Sequence, residues 1–181
     1  MAYSNIALKS ELGRTLFKEQ IQNNREKCVF ISHKKEDKNA ALSIGSYLTD
    51  IVGVNIYLDV MDENLQKATQ IENDKMIVES IKNGLECSSH LLCLISDKTR
   101  LSWWVPYEVG IADNKNLNIA TLKLNTTDDI PSFLKIHPSF FTVEEFINYA
   151  VNCKTSSHSL YESMFSKLSA NTDVLKKYID Y

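Results

Sequence analysis

Glu108 sits in the stretch LSWWVPYEVGIADNK, residues 101–115, between aromatic and aliphatic neighbours. The stretch reads as a helix. Val105, Val109 and Ala112 fall at i, i+4 and i+7 and make a core-facing stripe. Trp104, Glu108 and Ile111 make a second stripe, rotated by about 100° on an ideal helix. A carboxylate so placed is not fully solvated, so it has either a partner or a chemical role. The plainer alternative is a boundary residue near a helix start, where negative charge is mildly favoured.

Other candidates gather around it. In open parallel sheets ligands bind outside the carboxyl ends of the strands. The first expected strand ends in Ser32-His33, with Lys34 and Lys35 beyond; the second ends in Asp59; the third ends in Ser96-Asp97 and leads to Ser102, Trp104 and Glu108. The topology would bring these separate segments to one rim. Each has a second reading: Ser32 and His33 as partners of backbone groups at a strand end, Asp59 as a turn cap, the lysines as solvated side chains, Trp103 as packing. His90, His137 and His158 are scattered and suggest no metal site. No G-x-G-x-x-G, P-loop or G-x-S-x-G occurs, so neither a glycine-rich phosphate cradle nor an acyl-transfer elbow is present.

The elements that would position these residues alternate. Residues 4–23 read as a helix, with Leu8, Leu12 and Leu16 as its apolar stripe, widened by Phe17 and Ile21. CVFIS (28–32) reads as a strand. A helix follows, with Ala41, Ile44, Leu48, Ile51 and Val52 inward, Asp37 as its cap and Gly53 as its end. VNIYLD (54–59) is a second strand, and residues 60–73 form a long loop, which in compact domains is functional or mobile. A helix from Asp74 carries Ile77, Ile81 and Leu85 and is expected to stop at Asn83-Gly84. HLLCLIS (90–96), apolar on both faces, suits a central parallel strand. IATLKL (119–124) and SFFTV (139–143) complete five strands. Residues 143–153 read as a helix, SLYESMFSKL as a helix opened by a Ser159/Glu162 capping box, and Asp173 onward as a short terminal helix with Leu175 and Ile179. The expectation is α/β: a flavodoxin-like open parallel sheet over residues 27–153, with helical extensions at 1–26 and 154–181.

Bulk properties agree with one such domain. The chain has 181 residues, 44% hydrophobic and 24% charged, and a net charge of −3. That balance has no basic excess for nucleic acid. Cys28, Cys87, Cys93 and Cys153 form no C-x-x-C pair and read as reduced core thiols. No apolar run has the length of a signal peptide or a bilayer span, so a soluble cytoplasmic protein without membrane contact is expected.

VFISHKKED, IYLD, SSHLLCLIS and SWWVPYEVGIA, in that order, resemble a bacterial TIR (Toll/interleukin-1 receptor) domain over roughly residues 27–150, and in particular the NAD-cleaving TIR proteins of Thoeris-type antiphage defence. The most specific segment is S-x-W-x-x-x-E, here Ser102, Trp104 and Glu108. The resemblance implies that Glu108 is catalytic in breaking the nicotinamide–ribose bond of NAD and that Trp104 belongs to the same site. Ser32, His33, Lys34, Asp59 and Ser102 are then expected as further substrate-binding residues, with NAD as substrate and no cofactor or metal. It also implies self-association through TIR surfaces and a separate effector protein that reads an ADP-ribose-type product. Two other readings stay open: a TIR module that only assembles with partner TIR surfaces, which needs no glutamate in a cleft, and a nucleoside deoxyribosyltransferase-like enzyme, which would share Glu108 but not its motif. A phosphoreceiver is disfavoured because the first strand ends in Ser-His rather than in an acidic pair.

Overall fold

The computed structural model describes residues 4–24, 26–58, 73–125, 129–154 and 158–179. Within them lies a five-stranded sheet: β1 (Cys28–Ser32), β2 (Asn55–Tyr57), β3 (His90–Ile95), β4 (Asn118–Lys123) and β5 (Ser139–Phe140). Its order is β2-β1-β3-β4-β5 and every pairing is parallel. Six α-helices flank it: α1 (Glu11–Gln22), α2 (Lys38–Ser46), α3 (Asp74–Glu86), α4 (Trp104–Asn114), α5 (Val143–Lys154) and α6 (His158–Ser169). Asp59, residues 60–72 and the Ser159 side chain lie outside the described residues.

Side-chain alternation along the strands divides the core into two layers. Val29, Ile31, Leu92, Leu94, Ala120 and Leu122 face α2, α5 and the C-terminal segment. Cys28, Phe30, Leu91, Cys93, Ile95 and Ile119 face α1, α3 and α4. The ends of the chain join these layers through Ile6 and Phe17 on one side and Leu168, Leu175 and Ile179 on the other. Asn5 forms a parallel bridge with Ile56, and its side-chain oxygen accepts from Leu58 N, which covers part of the β2 edge.

Several expectations are corrected. Leu8, Leu12 and Leu16 are more than half exposed. A break at Lys9-Ser10 puts Leu8 in a separate 3-10 turn (Ile6–Leu8), and α1 starts at Ser10, whose hydroxyl accepts from Gly13 N. The helix docks by its 14/17/18/21 face instead. Phe17 is buried, Cys87 donates to the Arg14 carbonyl, and Lys18 pairs with Glu86. After Ser46 the backbone widens into a π-helical segment, Tyr47–Val52, closed by Gly53 in the left-handed region at φ 75°. The wider turn moves Ile51 off the inner face and keeps Leu48 and Val52 on it. Helix α3 continues through Asn83-Gly84 to Glu86. The C-terminal residues form successive turns rather than a helix. Leu175 N bonds Thr172 O and Tyr178 N bonds Leu175 O, while Asn125 N holds Tyr178 O at 2.8 Å. Trp103, expected to pack, is 90% exposed.

Two polar groups in the sheet, His90 half-buried and Thr121 buried, carry stability predictions. The ring of His90 lies edge-on to Tyr149, with centroids 6.4 Å apart, and its Nδ1 is 2.9 Å from Ser89 Oγ. Burial, aided by the Lys27 charge, pulls its pKa down from 6.5 to about 4. Above pH 6.5 the ring is neutral in both folded and unfolded chains. As pH falls below that value the unfolded chain binds the proton first, so stability declines until about pH 4, by about 2–3 kcal/mol in all. Denaturant midpoints across this window should fall for the native sequence and fall less for His90→Phe; equal slopes would assign the loss to other groups. Thr121 Oγ1 is buried and has no hydrogen-bond partner among the described residues. Thr121→Val keeps the shape and removes that hydroxyl, so a gain of about 1 kcal/mol is expected in chemical denaturation. A loss of stability would show that the hydroxyl is satisfied.

Candidate active site

The strand order reverses direction between β1 and β3, and in parallel sheets the crevice at such a point is where ligands bind. Ser32 is the last residue of β1, and the register places it beside Cys93 on β3. Helix α4 crosses above. Val105, Val109 and Ala112 pack downward as the sequence period requires. Glu108, on the adjoining stripe, is only 4% exposed. Its carboxylate finds a partner there: Ser32 Oγ donates to Glu108 Oε2 at 2.5 Å, across 76 residues of sequence. Glu108 is therefore buried and hydrogen-bonded rather than a boundary residue near a helix start.

The loop from β3 into α4 is pinned along its length, and that pinning sets the height of Glu108. Ser96 Oγ donates to the buried Asp37 carboxylate at 2.6 Å, and Lys98 Nζ lies 3.6 Å from the same carboxylate. Ser96 N donates to Thr99 Oγ1 at 2.9 Å, opening a 3-10 turn, Thr99–Leu101. Lys34 Nζ reaches the Leu101 carbonyl at 3.4 Å. Ser102 Oγ accepts from Val105 N at 3.3 Å and so caps the first turn of α4. Asp37 precedes α2 as expected but caps nothing with its side chain; its carboxylate ties α2 to the β3 loop instead.

The expected site residues thus separate by position. Ser32 and Glu108 touch. His33 is half-buried, with Nδ1 3.3 Å from the Ile31 carbonyl. Lys34 and Ser102 hold backbone at the mouth of α4. Trp104 is partly exposed and meets Tyr107 edge-on at 6.1 Å. A groove of about 540 Å³, lined by Lys82, Tyr107, Gly110 and Ile111 among others, runs along the outer side of α4 and does not include Glu108. Its lining carries no buried polar side chain, unlike the Ser32–Glu108 pair. Cys93, read from the sequence as a reduced core thiol, stands beside Ser32 in the sheet, with Thr121 next in the same row; that row depends on strand register and left no local signal. Among the described residues no cluster of three metal-ligating side chains occurs, and no helix is long and apolar enough to cross a membrane.

A buried carboxylate fixed by a hydroxyl at the switch point of a parallel sheet can stabilise positive charge developing on a ligand. The sequence model of the family described as "Thoeris protein ThsB, TIR-like domain" matches residues 30–129, which include Ser32, His33, Lys34, Ser102, Trp104 and Glu108. No curated protein matches the sequence. With more than half of its length matched, and with the five-stranded parallel sheet such a domain requires, the chain belongs to the TIR-like domain family of the Thoeris protein ThsB, a family of antiphage defence.

Proposed function

We propose that this protein cleaves the nicotinamide–ribose bond of NAD and that Glu108 is its catalytic residue. The observation that carries the reading is the buried Ser32–Glu108 hydrogen bond at the β1/β3 switch point, in a helix that opens S-x-W-x-x-x-E. In this reaction the C–N bond breaks and nicotinamide leaves with the bonding pair as a neutral molecule, so no acid is required. Positive charge develops on the ribose, as in glycoside cleavage. The Glu108 carboxylate stabilises that charge, and Trp104 shields the site from water. Water then attacks the anomeric carbon and loses a proton to give ADP-ribose; a hydroxyl or ring nitrogen of the substrate attacking instead gives a cyclic product.

Family membership supports a role for this chemistry in antiphage defence, with the product as a signal read by a separate effector. Self-association of the TIR surfaces is the accompanying proposal for how activity is raised. The purified protein incubated with NAD should release nicotinamide and an ADP-ribose-type product, resolved by chromatography. A protein-free filtrate of that reaction should activate a neighbouring effector. NAD left intact over the full range of protein concentrations would favour the interaction-module reading, in which the domain only assembles. Base exchange between deoxynucleosides would favour the deoxyribosyltransferase reading.

A further inference from the structure

The register of the sheet places one short polar row beneath α4. Ser32 on β1 pairs with Cys93 on β3, and Cys93 pairs with Thr121 on β4. Register partners on parallel strands point to the same face, so the three side chains stand in line. All three are buried, and the layer around them is otherwise apolar: Phe30, Leu91, Ile95, Val105 and Val109. Buried polar groups in such a layer are costly unless they are hydrogen-bonded; Thr121 Oγ1 has no partner among the described residues, which leaves Ser32 and Cys93 to account for.

We infer that Ser32 and Cys93 form a donor chain that positions Glu108, with the Cys93 thiol donating to Ser32 Oγ and the Ser32 hydroxyl donating to Glu108 Oε2. Ser32 is therefore a positioning residue rather than a substrate contact, and Cys93 supports it from beneath. Proton counting fixes the direction. Ser32 has a single hydroxyl proton, which the 2.5 Å contact gives to Glu108 Oε2. The oxygen of Ser32 is left as an acceptor, and Cys93 is its register neighbour with one S–H to offer. The thiol keeps that proton. Burial raises the Cys93 pKa and the Glu108 carboxylate raises it further, while the neighbouring Ser32 hydroxyl acts in the opposite direction without reversing them. A thiol held protonated under a carboxylate is a donor and not a nucleophile. Fixing one carboxylate oxygen fixes the plane and height of the group that faces the ribose.

The inference rests on the proposed reaction for its kinetic consequence but not for its structural one, and the experiment reads both. Infrared spectra of the protein without NAD, taken as wild type minus Glu108→Gln, isolate the carboxylate stretch of Glu108. Ser32→Ala should displace that band and Ser32→Thr should return it. Cys93→Val, close in size, should displace it less and in the same direction, and Cys93→Ser should return it. In turnover, Ser32→Ala should lower kcat by about tenfold to a hundredfold while KM for NAD stays within about twofold, as expected for a lost hydrogen bond to a charged group. Ser32→Thr should recover most of that loss. A band unmoved by Ser32→Ala, or a raised KM with kcat intact, would overturn the positioning role. A band moved by Ser32→Ala but not by Cys93→Val would remove Cys93 from the chain. Should the wild type leave NAD intact, the reaction proposal falls, while the infrared arm still decides whether the donor chain exists.

Discussion

Glu108→Gln should abolish NAD cleavage, lowering kcat by at least about a hundredfold to a thousandfold, and should leave the fold intact. The amide has nearly the volume of the carboxylate, and its oxygen can still accept from Ser32. What disappears is the negative charge that, in the proposed reaction, stabilises the ribose cation. The thermal midpoint should be unchanged or slightly higher, because the substitution also takes a buried charge out of the core. Glu108→Ala makes the useful contrast: it strands the Ser32 hydroxyl and opens a void, so it should lose activity and stability together. Full turnover by Glu108→Gln would end the catalytic assignment. Loss of turnover together with loss of midpoint would show that the carboxylate is structural. Retained antiphage protection by a turnover-dead Glu108→Gln protein would point to assembly rather than catalysis.

Much of this site was legible in the sequence, and what was not has a physical reason. The strands announced themselves because β1 and β3 are apolar on both faces, as buried parallel strands must be. Glu108 drew attention because a carboxylate beside a core stripe needs a partner. The partner itself was out of reach: that Ser32 meets Glu108, and stands beside Cys93, depends on strand order and register, which no local pattern encodes. The errors share a cause too. The Leu8, Leu12 and Leu16 stripe has a faultless period, yet the chain breaks at Lys9-Ser10, and Phe17, Arg14 and Lys18 set the docked face of α1, because a ring and two tethers to the end of α3 outweigh aliphatic side chains that stay exposed. Ile51 was misplaced because a π-helical turn shifts the phase of everything after it. Asn83-Gly84 looked like a helix stop because glycine so often ends helices, but Gly84 serves a different requirement.

That requirement sets the second large effect. Gly84 lies on the inner face of α3, against Phe30 of β1 and Tyr57 of β2, whose rings stack at 5.4 Å and within 4° of parallel. A Cβ at position 84 would stand 2.5 Å from Tyr57 Cε1 and 2.8 Å from Phe30 Cε2. Both rings are fully buried, so neither has space to retreat without moving its strand. Gly84→Ala gains about 1 kcal/mol of helix propensity, but overpacking of this kind costs about 1–3 kcal/mol or more, so a net loss is expected. Gly84→Val adds two further carbons to the same clash and should lose about 3 kcal/mol or more, enough to threaten folding. The damage should also reach the site. Phe30 is two residues from Ser32 on the same face of β1, so displacing its ring shifts the strand end that holds Glu108. Folded Gly84→Ala protein should therefore show a reduced kcat although no site residue has changed. Gly110 is the matched control: it lies inside α4, and a Cβ there meets nothing within 4 Å. Gly110→Ala should stabilise the protein by about 0.5–1 kcal/mol through helix propensity alone. The same substitution in two helices of one domain should then move the denaturation midpoint in opposite directions. Equal shifts at both positions would show that the close approach of α3 to β1 and β2 does not constrain the fold.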